Sequence, residues 1–96
     1  MAHYLIMYRP PRETFIDDAT VEESATVEKH HSYLQQLLSE GKLLLAGPTE
    51  DGQLGIAVIE ADDEPAAQTI LERDPAISGG VFRGELFPFR VALVRN

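Results

Sequence analysis

The chain has 96 residues, 44% hydrophobic and 25% charged, with 16 acidic side chains against 8 basic ones and no cysteine. That length supports one domain, over residues 1–96, and the composition is that of a folded globular protein rather than a disordered one. A net charge of −8 argues against nucleic acid and anionic lipid as partners, and the lack of cysteine excludes a disulfide scaffold, a thiol nucleophile or a cysteine metal site. No apolar run approaches the ~18–20 residues a membrane span needs. The run Tyr4–Tyr8 is too short for a signal peptide, and Arg9-Pro10-Pro11-Arg12 follows it without a small-residue cleavage site. The expectation is a cytoplasmic protein.

A first strand is predicted over His3–Tyr8, stopped by Arg9-Pro10-Pro11 because proline removes a ladder donor. A loop follows through Asp17-Asp18. Thr20-x-x-Glu23 has the form of a capping box, so a helix starts there, runs to about Glu40 and stops at Gly41. Lys42–Ala46 reads as a strand ended by Gly47-Pro48, and Asp51-Gly52 as the turn before a return strand, Leu54–Glu60. Asp62 or Asp63 caps a second helix with Pro65 in its first turn and Ala66, Ala67, Ile70 and Leu71 as its apolar stripe. Asp74-Pro75 ends that helix, Ser78-Gly79-Gly80 is a loop, and Val81–Phe87 is a strand interrupted at Pro88, with Phe89–Val94 as a candidate further strand.

Strands and helices in the order βαββαβ, with a central hairpin, predict an α+β ferredoxin-like fold with an antiparallel sheet. Such a sheet, covered by helices on one face, normally alternates apolar and polar residues. Tyr4-Leu5-Ile6-Met7-Tyr8, Leu43-Leu44-Leu45-Ala46 and Ile56-Ala57-Val58-Ile59 barely alternate. Both faces therefore read as buried, and a second copy packing sheet against sheet, a dimeric α/β barrel, is the simplest way to cover the second one.

His30 and His31 lie mid-helix. At ~100° per residue, Val27, Tyr33, Leu34, Leu37 and Leu38 centre near His30, which points His30 to the buried side and His31 toward the boundary. Adjacent helical residues diverge too far to chelate one metal, so no metal site is expected. A core histidine bonded to backbone is the bland alternative. A buried imidazole oriented by a carboxylate is the form a general base takes. Asp74 is one candidate carboxylate, although Asp before Pro is also a good cap for a short turn through Pro75-Ala76-Ile77, and the residues alone favour the cap. Arg9 and Arg12 flank a rigid double proline and suit an anionic substrate or simple solvation. There is no glycine-rich phosphate loop, and Ser32, Ser39 and Ser78 lack a nucleophile-elbow context.

Strand one running into Arg9-Pro10-Pro11, Phe15, His30-x-x-Tyr33-Leu34, Gly41-x-Leu43-x-x-Ala46-Gly47-Pro48 and Asp74-Pro75-Ala76 with Gly79 or Gly80 together resemble the YCII-related proteins, over nearly the whole chain. The resemblance implies a ferredoxin-like dimeric α/β barrel with a histidine and an aspartate in a pocket as a catalytic pair. By motif position these match His30 and Asp74. Some members of that family are similar to dehydrochlorinases acting on chlorinated hydroxyaromatic compounds, and structural cousins include muconolactone isomerases. Other members resemble domains attached to transcription factors.

Two functions remain open at this point. The first is a cofactor-independent enzyme in which His30, oriented by Asp74, moves a proton during elimination or isomerisation of a small aromatic or enol-like molecule, with Tyr8, Arg9, Gly47 and Pro48 as substrate-binding walls. The second is a non-catalytic module that binds a small ligand or serves as a dimerising partner.

Overall fold

The structure, a computed structural model, describes residues 2–95. Its elements are β1 (Ala2–Arg9), α1 (Phe15–Asp18), α2 (Val21–Ser39), β2 (Leu43–Pro48), β3 (Gly55–Ala61), α3 (Glu64–Glu72), α4 (Pro75–Ser78) and β4 (Arg83–Phe89). The four strands form one antiparallel sheet in the order β2-β3-β1-β4. With α2 and α3 as the crossovers, this is the ferredoxin-like arrangement expected from the sequence.

Local chemistry explains most boundaries. Thr20 caps α2 with both bonds of the box, Glu23 N–H donating to its Oγ1 at 3.1 Å and its own N–H donating to Glu23 Oε1 at 2.9 Å. Of the two candidate caps for α3, Asp63 is the one used, accepting from Ala66 N–H at 3.0 Å. Gly41, at φ 77°, turns the chain from α2 into β2.

Strand period sorts the sheet into two faces. Tyr4, Ile6 and Tyr8 of β1 and Ala57, Ile59 and Ala61 of β3 are buried under the helices with Leu37 and Leu71. Gly84 lets β4 lie close beneath them, since a Cβ there would stand 2.8 Å from Leu71 and 2.9 Å from Ile77. The opposite face carries Leu5, Met7, Leu45, Ile56, Val58, Phe87 and Phe89 by register.

Several expectations need correction. The loop through Asp17-Asp18 contains α1, whose Asp17 and Asp18 N–H groups donate to Thr14 O. The short turn expected through Pro75-Ala76-Ile77 forms as the helical turn α4, which takes in Ser78 from the expected loop. Gly47-Pro48 lies inside β2 rather than beyond it, and β4 runs through Pro88. Both prolines are on edge strands, where an outward-facing position needs no N–H. The further strand over Phe89–Val94 does not form: Phe89 closes β4, and residues 90–95 have no regular structure.

One cluster ties α1 to α2. Arg12 donates from Nη1 and Nη2 to Glu23 at 2.9 and 2.8 Å and from Nε to Asp18 at 2.9 Å, and its guanidinium stacks on Phe15 at 5.4 Å. The Arg12 hydrogen bonds, and then the Thr20 backbone N–H, lower the Glu23 pKa from 4.5 to about 2. A depressed folded pKa contributes stability above the unfolded value that is lost as pH falls through the folded one. Glu23→Gln is therefore expected to lower the denaturation midpoint by a constant amount above pH 4.5, with the gap to wild type closing between 4.5 and about 2. Urea titrations at a series of pH values measure it, and a gap independent of pH contradicts it.

Candidate active site

Asp74 is fully buried, at 0% exposure, between α3 and α4. Its carboxylate accepts from three groups in different parts of the chain. The Ala76 backbone N–H donates to Oδ1 at 2.9 Å, capping α4. The Tyr8 hydroxyl donates to Oδ2 at 3.0 Å from β1. His30 Nδ1, from α2, lies 2.9 Å from Oδ1 and 2.7 Å from Oδ2. Asp74 is thus both a helix cap and the acceptor for His30, two roles that the residues alone set against each other.

With the carboxylate oxygens acting as acceptors, the network assigns the His30 proton to Nδ1 and leaves a lone pair on Nε2. His30 keeps 13% side-chain exposure. Every buried side-chain nitrogen or oxygen among the described residues has a partner, so Nε2, which has none in the protein, is open to solvent. The ring is held edge-on to Tyr8 and Phe82 at centroid distances of 4.9 and 5.4 Å. Phe15 closes the aromatic wall, 5.8 Å from Phe82. Tyr33 ties α2 to α3 by donating to Ile70 O at 2.7 Å, one turn after His30 and four residues before Asp74.

His30 stands at the floor of a cleft of about 1050 Å³ between α2 and β2. Phe15 and Ile16 of α1 line it too, and the segment just before α1 is tied to the β2–β3 turn by Gln53, which donates to Glu13 O at 2.7 Å. The cleft runs along the unpaired edge of β2, and Leu45, Gly47 and Ile56 of the opposite sheet face line it as well.

Tyr8, Gly47 and Pro48 line this cleft. Tyr8 does more than line it. Burial, and then the adjacent Asp74 carboxylate, push the phenol pKa well above its ordinary range, so the hydroxyl remains a donor. Arg9 is not brought to the cleft. It follows Tyr8 in a strand and so faces the other side of the sheet, where Nε donates to Glu85 at 3.2 Å. His31 is exposed at the cleft mouth, so the helix period ranks the two histidines correctly.

Phe82 and the Ala76 N–H escaped the sequence reading. Phe82 reads there as part of a strand, yet it precedes β4, its N–H donating to Ala76 O at 2.9 Å. No group of three His, Cys, Asp or Glu side chains suited to a metal ion occurs among the described residues. No helix among them is long and apolar enough to cross a membrane.

Tyr8→Phe keeps the ring and removes one donor from the buried carboxylate. A hydrogen bond to a charged group contributes about 1.5–3 kcal/mol, so the unfolding free energy is expected to fall by that amount, read as a lower denaturation midpoint at unchanged m-value. An unchanged midpoint shows that the hydroxyl does not support Asp74.

The YCII-related domain pattern matches residues 1–90. The chain belongs to the YCII-related family. No curated protein matches it. Among solved structures, this YCII-related chain is similar to 5-chloro-2-hydroxyhydroquinone dehydrochlorinase from Burkholderia phenoliruptrix AC1100 in complex with 2,5-dihydroxybenzoquinone. The identity is 17%, covering 91% of this chain and 93% of that one, with a TM-score of 0.59. It is also similar to a muconolactone isomerase, at 11% identity over 98% of this chain and 96% of that one, with a TM-score of 0.71. At these identities the likeness is one of fold.

Proposed function

We propose that this YCII-related protein is a cofactor-independent enzyme of small-molecule elimination or isomerisation, with His30 Nε2 as the group that takes and returns the proton. The observation that carries it is the pairing of a buried Asp74 with Nδ1 while Nε2 faces the cleft without a protein partner. In elimination, Nε2 takes a proton from a hydroxyl or carbon acid and the freed electron pair expels a leaving group such as chloride. In isomerisation the pair moves along the conjugated system and the same imidazole delivers the proton to another carbon. Asp74 stays a carboxylate throughout, holding the ring and balancing the imidazolium that forms. The dehydrochlorinase and the isomerase on the same fold support this reaction class.

The working form we propose is a homodimer joined through the helix-free sheet face. Its centre holds the apolar residues Leu5, Met7, Leu45, Ile56 and Phe87, while polar pairs lie toward its two ends, His3 with Glu60 at 3.1 Å beside Phe89, and Arg9 with Glu85 at 3.2 Å. An apolar centre inside a polar rim is the usual anatomy of an interface.

The direct test of the enzyme assays chloride release from chlorinated hydroxyquinols and solvent-deuterium uptake by enolisable ring ketones, for wild type and His30→Ala. A positioned general base supplies about 10²–10⁴-fold, and His30→Ala is expected to lose that factor in kcat/KM while remaining folded. Equal turnover in the variant overturns the proposal and leaves a binding module.

A further inference from the structure

The cleft is large, apolar and without a fixed cation. Its lining includes Phe15, Ile16, Leu34, Leu43, Leu54 and Phe82, and among the described residues no lysine or arginine contributes to it. Arg9 is bound to Glu85 on the other face of the sheet, and Arg12, stacked on Phe15, is held by Asp18 and Glu23. Two carboxylates, Glu28 and Glu50, line it as exposed residues. The groups in it able to take a positive charge are His30 and His31. Any charge on His30 is already answered by Asp74 at 2.7 Å, and His31 is exposed to water.

An anionic ligand entering this space would give up hydration for an apolar wall and two like charges. A neutral ligand meets no such penalty, and each ring face it buries adds to binding. Size points the same way. A cavity of ~150 Å³ accommodates benzene, whereas this cleft measures about 1050 Å³ and matches a ligand of several rings. The aromatic edges of Tyr8, Phe15 and Phe82 around His30 suit a flat molecule.

We infer that the cleft takes an uncharged, flat, fused-ring molecule presenting a weakly acidic hydroxyl or carbon acid to His30, and turns away carboxylates and phosphates. This deepens the proton-transfer reading by naming its substrate class, and it predicts a selectivity that does not depend on turnover.

The experiment measures binding of 2-naphthol, phenol and 2-naphthoate at pH 7.5 by calorimetry, with amide chemical-shift mapping to locate each probe. The expected order is 2-naphthol tightest, phenol at least about five-fold weaker and 2-naphthoate at least about ten-fold weaker, with shifts on Leu34, Leu43 and Phe82. The double variant Glu28→Lys/Glu50→Lys alters two exposed residues and is expected to bring 2-naphthoate to within about three-fold of 2-naphthol. Equal or preferred binding of 2-naphthoate by the wild type overturns the inference, as does absence of 2-naphthol binding at millimolar concentration. Unchanged discrimination in the double variant overturns its electrostatic basis. Repeating the series in His30→Ala separates the two proposals. Selectivity persists there if the cleft walls set it, whatever the turnover assay says of His30.

Discussion

Asp74→Asn is expected to cut turnover by about 10²–10⁴-fold, the full contribution of a positioned base, although it changes one oxygen to nitrogen. The new side chain keeps a carbonyl oxygen, which can still accept the Ala76 N–H that bonds Oδ1 at 2.9 Å. In place of Oδ2 it offers an amide NH₂, where the wild type receives both the Tyr8 hydroxyl at 3.0 Å and His30 Nδ1 at 2.7 Å. A donor facing Nδ1 stabilises the other tautomer, with Nδ1 as acceptor and the proton on Nε2. The atom that faces the cleft then carries a hydrogen and no lone pair, and it cannot take a proton from substrate. An asparagine in the place of the aspartate of a serine-protease triad acts through the same reversal.

Nitrogen-15 NMR of the imidazole reads the tautomer with no substrate present, and should show Nδ1–H in wild type and Nε2–H in Asp74→Asn. The Tyr8 hydroxyl loses its acceptor in a buried site, at about 1–3 kcal/mol, so the variant should be less stable yet folded. Since the two residues act as one unit, adding His30→Ala to Asp74→Asn should cost little beyond either change alone. Full activity in Asp74→Asn, or an Nδ1–H tautomer retained there, contradicts the orienting role of Asp74.

What the sequence reveals of this site depends on how far apart the partners lie. The Thr20–Glu23 box, a cap at Asp62 or Asp63 and the stop at Gly41 are legible because each is completed within a few residues. The burial of His30 is legible from the helix period, which needs only its own turn and the next. The role of Asp74 is not legible in its local pattern and comes only from the resemblance to the YCII-related proteins, because its cap bond reaches two residues while His30 is 44 positions away and Tyr8 66. A local cap and a long-range acceptor leave the same Asp-Pro signature.

Arg9 is a different kind of miss. The period of two in a strand already separates it from Tyr8, so that both cannot wall one cleft. Phe82 and α1 acquire their positions from contacts with α4, α2 and the β2–β3 turn, which no local pattern announces. Pro48 and Pro88 read as strand breakers, and only their place on the two sheet edges makes them tolerable.

Placing charge on the helix-free sheet face, as Val58→Glu/Phe87→Glu, is expected to convert a dimer into a monomer without unfolding it. Light scattering should give the wild type twice the 10.6 kDa chain mass and the variant that mass alone. Phe87 is paired with Leu5 on β1, and Leu5 with Val58 on β3, so the two substitutions flank the centre of the face. Phe87 keeps 41% exposure in the single chain and Phe89 42%, areas of aromatic surface that a solitary domain would leave in water. Because a two-fold interface repeats each residue, the double variant would bury four carboxylates with no cation opposite them. Removing even one charge from water without a partner costs several kcal/mol, so dissociation by at least ~10³-fold in Kd follows from about 4 kcal/mol. The cost falls on the dimer far more than on the chain, for Phe87 is already partly solvated and its outward side touches no helix. Val58 is 7% exposed within the chain and will carry some local penalty, so Phe87→Glu alone, with the smaller local effect, separates loss of association from loss of fold. A wild type that is monomeric at micromolar concentration overturns the proposed barrel, and the apolar texture of β1, β2 and β3 would then need another cover.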